Sequence, residues 1–139
     1  MNYIKTYENF REKVIGYHIT DYKNLESILK NGLEPRIPED YGMDGDVKGV
    51  YFFKTAADMD NALGNWLGER IEELEEESGE TYEDTLLVVD LTGLNLLDTV
   101  EFEWTCIEHI DPSRILETHK LDDVNNGYEL SEELDKKYN

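Results

Sequence analysis

A histidine, a tyrosine and a glutamate stand in chain order on three short apolar segments: His18 in residues 14–20 (VIGYHIT), Tyr51 in residues 49–53 (GVYFF) and Glu103 in residues 101–107 (EFEWTCI). β-Branched and aromatic residues dominate all three, so each reads as a strand. Three strands can bring an imidazole, a phenol and a carboxylate to one cleft. The third segment alternates with period two, which predicts Glu101, Glu103 and Thr105 on one face and Phe102, Trp104 and Cys106 on the other. Two neighbouring carboxylates push one pKa upward, which suits a base. Taken singly, each residue also has a plainer reading: a hydrogen-bonded structural histidine, a core tyrosine, a solvated strand glutamate.

Other chemistries are poorly supplied. One cysteine, Cys106, allows neither an internal disulfide nor a CxxC metal site. His18, His109 and His119 lie far apart without ligand spacing, so a metal-free protein is expected. No run approaches the roughly 20 apolar residues needed to span a bilayer. The first 13 residues are mixed and charged, without the apolar core of a secretory signal. A cytoplasmic location is the resulting expectation.

The charge is extreme. Thirteen Lys and Arg against 33 Asp and Glu give −20 over 139 residues, well beyond the magnitude of about 2–8 usual for a small domain. Such a surface repels nucleic-acid phosphates and anionic membranes. It secures solubility, and it could also imitate nucleic acid or hold a basic protein. Screening over about 8 Å leaves a small anionic ligand free to enter a cleft.

Several elements must position the three residues. A helix is predicted over residues 22–31, with Thr20 or Asp21 as cap, Leu25, Ile28 and Leu29 as the apolar face, and Gly32 as the left-handed stop. Residues 34–48 hold two of the three prolines and read as an irregular loop. From Thr55 the spacing of Met59, Leu63, Trp66, Leu67, Ile71 and Leu74 predicts one long helix with Trp66 in the core. Its glutamate-rich end, residues 69–83, reads as a solvated helix terminus and loop. TLLVVDL at 85–91 predicts an interior strand, Asp111-Pro112 a turn, and residues 114–117 a further strand. Residues 121–139 read as a weakly held polar tail with a short helix after Ser131. Strands separated by only two substantial helices predict an α+β fold, one domain over residues 1–120, with the helices to one side of folded sheets.

Three segments resemble the motifs of ADP-ribosyltransferases of the diphtheria-toxin and poly-ADP-ribose-polymerase type. GYHITDYKNLESILKNGLEP is similar to the first motif, a strand ending in a His-Gly-Thr-like triplet, then a helix and a Gly-Leu-x-Pro exit. GVYFFKTAADMDNAL is similar to the second, a Gly-x-Tyr strand before a helix. EFEWTCIEHIDPSRI is similar to the third, a glutamate-bearing strand before a short return strand. The resemblance implies a split β-sandwich over residues 15–118 and NAD as substrate. It gives His18 the adenosine-side ribose, the Ile19 backbone the nicotinamide amide, and Tyr51 a stacking role on the nicotinamide ring, with Thr20 completing the triplet. Glu103 would stabilise the positive charge that develops on the ribose, and Glu101 would orient or deprotonate an acceptor.

The triplet departs from the family at Ile19, where a glycine is usual, and the register leaves Glu101, Glu103 and Glu108 open as the functional glutamate. Trp66 is the nearest aromatic to a second stacking residue. RNA 2′-phosphotransferases share the fold but hold phosphates with arginines, and only Arg36, Lys48 and Lys54 lie near the first two motifs. The expected function is therefore NAD-dependent mono-ADP-ribosyl transfer to a protein, possible acceptors including a basic one, or NAD glycohydrolysis. The alternative is a catalytically inactive acidic module of the same fold that binds a basic protein.

Overall fold

The computed structural model describes residues 13–36, 48–121 and 127–138. In chain order these form β1 (Ile15–Asp21), α1 (Leu25–Asn31), β2 (Val50–Phe53), α2 (Ala56–Leu63), α3 (Trp66–Ser78), β3 (Asp84–Asp90), β4 (Leu96–Val100), β5 (Glu103–Cys106), β6 (Ile115–Lys120) and α4 (Gly127–Tyr138). Most of the loop expected over 34–48 lies outside the described residues. Its two ends meet through paired backbone hydrogen bonds between Arg36 and Gly49, 2.9 and 3.0 Å long.

The six strands make one antiparallel sheet in the order β4-β5-β2-β1-β3-β6. The architecture is therefore α+β. β3 carries Leu86, Leu87, Val88 and Val89 fully buried, so both its faces are covered, as a continuous apolar run requires. β4 has no alternation to betray it, because Leu96 and Leu97 are adjacent and both buried. β1 pairs with β3 from Ile15↔Asp90 to Asp21↔Asp84 but meets β2 only at Tyr17↔Phe53. Two three-stranded halves, β4-β5-β2 and β1-β3-β6, are thus joined at a single register pair.

Each face of the sheet has its own core. Ile15, Tyr17, Phe53, Leu86 and Val88 pack against Met59 and Ala62 of α2, Leu67 and Ile71 of α3, and Leu134 of α4. On the opposite face Val50, Phe52, Leu87, Val89 and Cys106 pack with Ile28 of α1. Helices therefore cover both faces, whereas the sequence pattern had them on one side; α1 is too short for its stripe to declare which face it covers. Asp21 caps a single 3-10 turn leading into α1, and Gly32 ends the helix at φ 83°. Leu29, expected on the apolar face, is exposed.

The long helix expected from Thr55 is two helices. Thr55 does cap α2, accepting from the Asp58 backbone N–H at 3.0 Å. The Asn65 N–H then reaches back only to Ala62, and Asn65 itself leaves helical geometry (φ −135°, ψ −119°). A Cβ at Gly68 would lie 2.2 Å from the Leu63 carbonyl oxygen, so the two helices close on each other only because that residue is glycine. Leu67 and Ile71 keep the buried stripe, and Trp66 is displaced to the surface at 39% exposure. Apolar spacing alone cannot distinguish this from a continuous helix.

The expected weak tail is instead a structural helix. α4 packs along α2 and buries Leu134. Asp135 accepts hydrogen bonds from the backbone N–H groups of Ala56 (2.7 Å) and Ala57 (3.0 Å), satisfying the first turn of α2 from outside. Lys137 and the Tyr138 hydroxyl both bond the Glu117 carboxylate on β6. Burial raises the pKa of that carboxyl, but hydrogen bonds from Tyr138, Lys137 and His119 outweigh it and hold it at about 2. Asp135→Ala should therefore destabilise the protein by about 1–2 kcal/mol. Thermal unfolding would read this as a melting point several degrees lower, with exposed Glu133→Ala unchanged as the control.

Candidate functional site

β2 and β5 pair as Val50↔Cys106, Tyr51↔Thr105, Phe52↔Trp104 and Phe53↔Glu103. Alternation places Tyr51, Phe53, Glu103 and Thr105 on the face of the α2–α3–α4 core, and Phe52, Trp104 and Cys106 on the other. Tyr51 and Glu103 are therefore diagonal neighbours across two strands. Glu103 is only 8% exposed, and burial lifts its pKa to about 7. The half-buried Tyr51 phenol is raised as well, by burial and then by the charge of Glu103. The Tyr51 phenol thus senses the Glu103 carboxyl.

His18 lies beside this pair but faces the other way. Its ring sits 5.4 Å from that of Phe52, and its Nδ1 is 2.8 Å from the Tyr51 carbonyl oxygen. A carbonyl only accepts, so Nδ1 carries the hydrogen and Nε2 of the neutral ring is left as an acceptor. Burial lowers the imidazole pKa, opposed by that hydrogen bond, which favours the neutral form. The contact falls just past Tyr17↔Phe53, where the β1–β2 ladder stops, so the side chain takes the place of a backbone donor. Thr20, on the His18 face, is buried and accepts from Asn24 Nδ2 at 3.4 Å. Ile19 faces the Tyr51 side and packs half-buried against the core.

The three glutamates separate clearly. Glu101 is exposed in the turn before β5 and does not share the strand face with Glu103, because β5 begins only at Glu103. Glu108 accepts from the Asn95 backbone N–H at 2.8 Å and secures a loop. Only Glu103 is buried next to Tyr51.

The turn also redirects Phe102. Alternation put its ring on the Trp104 face, but it stacks on Phe53 (6.3 Å, 24°), and the displaced Trp66 completes the group at 6.2 Å from Phe53 and 6.4 Å from Phe102. An open cavity of about 370 Å³ lies here, lined by Asp58, Asn61, Asn65, Trp66, Glu69 and Phe102. His18, Tyr51 and Glu103 do not line it. The Gly64-Asn65 pair was the one signal in the sequence that could have disclosed it, as a break in the helical stripe.

Among the described residues no group of three or more His, Cys, Asp or Glu could hold a metal ion, and no helix is long and apolar enough to cross a membrane. Compared with known proteins, the chain matches no protein-family model and no curated protein sequence.

Proposed function

We propose that the protein is an NAD-dependent mono-ADP-ribosyltransferase, or an NAD glycohydrolase, acting in the cytoplasm on a protein acceptor or on water. The observation that carries this reading is a buried Glu103 carboxyl next to the half-buried Tyr51 phenol, on two strands whose neighbour β1 parts from them after one register pair. The accompanying fold reading is the split β-sandwich of that family, supported by the two three-stranded halves. A carboxylate kept out of water costs stability, and such groups concentrate at sites of chemistry.

The proposed roles follow from the chemistry of each side chain. Tyr51 offers a flat face to the nicotinamide ring. The His18 side chain, expected on the adenosine-side ribose, turns to the Phe52 face of the sheet and is left out of this cleft. The Ile19 backbone, on β1 where it parts from β2, would meet the nicotinamide amide, while Thr20 is buried on the His18 face and bonded to Asn24. As the bond between nicotinamide nitrogen and ribose carbon breaks, its electron pair leaves with the nicotinamide. The ribose carbon becomes cationic, and ionised Glu103 stabilises it. An acceptor nucleophile or water then forms the new bond, and its proton passes to solvent or to exposed Glu101. Incubation of the full chain with NAD tests this directly: release of free nicotinamide supports it, and its absence over hours at millimolar NAD contradicts it.

One observation favours the inactive, partner-binding reading. Ile19 occupies the place of the family's glycine and turns its branched side chain to the Tyr51 side, where close approach by NAD is needed. That reading expects no NAD heat and a salt-sensitive complex with a basic protein.

A further inference from the structure

The cavity between α2, α3 and the β4–β5 turn has a chemistry of its own. Its wall is aromatic: Trp66 and Phe102 are 39% and 36% exposed, backed by buried Phe53. Its rim is acceptor-rich: Asp58 and Glu69 supply carboxylates, Asn61 and Asn65 supply amides, and among the described residues none that lines it is basic. The nearest cations along the chain are engaged elsewhere, Arg70 with Glu73 at 2.7 Å and Lys54 with Asp98 at 2.5 Å. An anion would meet two carboxylates here. A purely apolar ligand would strip water from them without compensation.

A cation satisfies every element of the site. It can lie over an exposed ring face, where the quadrupole attracts it, and donate to carboxylates at the rim. Trp66 and Phe102 are tilted by 51° at 6.4 Å, too close to sandwich a flat group between them. The occupant therefore stacks on the outward face of one ring, which suits a planar guanidinium better than a compact ammonium. The −20 net charge draws basic chains toward this surface.

We infer that this cavity binds an arginine side chain presented by a basic protein partner. The inference does not depend on NAD turnover, since none of its residues is assigned a part in it. Titrate the full chain with a short uncharged peptide containing one central arginine, and with the same peptide carrying citrulline, which keeps the planar shape but loses the charge. Tryptophan fluorescence, to which Trp66 contributes, reports occupancy. The arginine peptide should bind at least about tenfold more tightly than the citrulline peptide, and raised salt should weaken it. Asp58→Asn with Glu69→Gln should reduce affinity about tenfold or more. These two substitutions preserve side-chain shape on the surface and should not disturb folding; circular dichroism verifies that. Trp66→Ala, followed by calorimetry because it removes the reporting ring, should abolish binding. Equal affinity for the two peptides, no binding of either at millimolar concentration, or full affinity in the Asp58/Glu69 double variant would overturn the inference.

Discussion

Glu103→Gln is expected to lower nicotinamide release by about a hundredfold to a thousandfold, the loss typical when one group stabilising a transition-state charge is removed. The same substitution should not damage the fold. The folded pKa of about 7 lies above the ordinary value of 4.5, so the native state holds this proton more tightly than the unfolded chain. Between those two values native stability falls as pH rises, by on the order of 3 kcal/mol in all, and the deficit persists at higher pH. Glutamine carries no charge to bury. The variant should therefore melt higher than the parent at pH 8 and close to it at pH 4. Catalysis needs the ionised form, so release by the parent should climb as pH rises through about 7. Activity and stability would then move in opposite directions with pH, a pattern that a merely structural glutamate has no reason to produce.

Tyr51→Ala is expected to weaken NAD binding by about tenfold to a hundredfold, because it removes an aromatic platform and the apolar area beneath the nicotinamide. Tyr51→Phe keeps the ring face and should stay within about threefold. Measuring dissociation constants for both variants separates stacking from hydrogen bonding by the hydroxyl. If the phenylalanine variant fell with the alanine variant, the hydroxyl would be the working group.

The legible parts of the molecule were those written in local periodicity. β1, β2, β3 and β5 could be read from short apolar runs, and Thr55 announced the start of α2. Tyr51 and Glu103 were expected on two strands, and β2–β5 pairing puts them on one face. What stayed hidden depended on turns and on long-range contacts. Two residues at the β4–β5 turn take Glu101 off the strand and swing Phe102 to the opposite face from the one alternation assigns. A non-helical Asn65 sends Trp66 outward from a stripe that otherwise continues. α4 looked like a loose tail because its hold is specific and not apolar: Asp135 caps a helix 78 and 79 residues earlier, which no sequence window can display. His18 was expected to converge with Tyr51 and Glu103 on one cleft; its ring instead turns to the Phe52 face and meets the Tyr51 backbone carbonyl, a contact created by the place where two strands part.

Calorimetric titration of the full chain with NAD bears most directly on whether Tyr51 and Glu103 form a dinucleotide site. Saturable heat with one NAD per chain, kept in Glu103→Gln and strongly reduced in Tyr51→Ala, is the result expected. No heat at millimolar NAD, or equal heat in Tyr51→Ala, would contradict it.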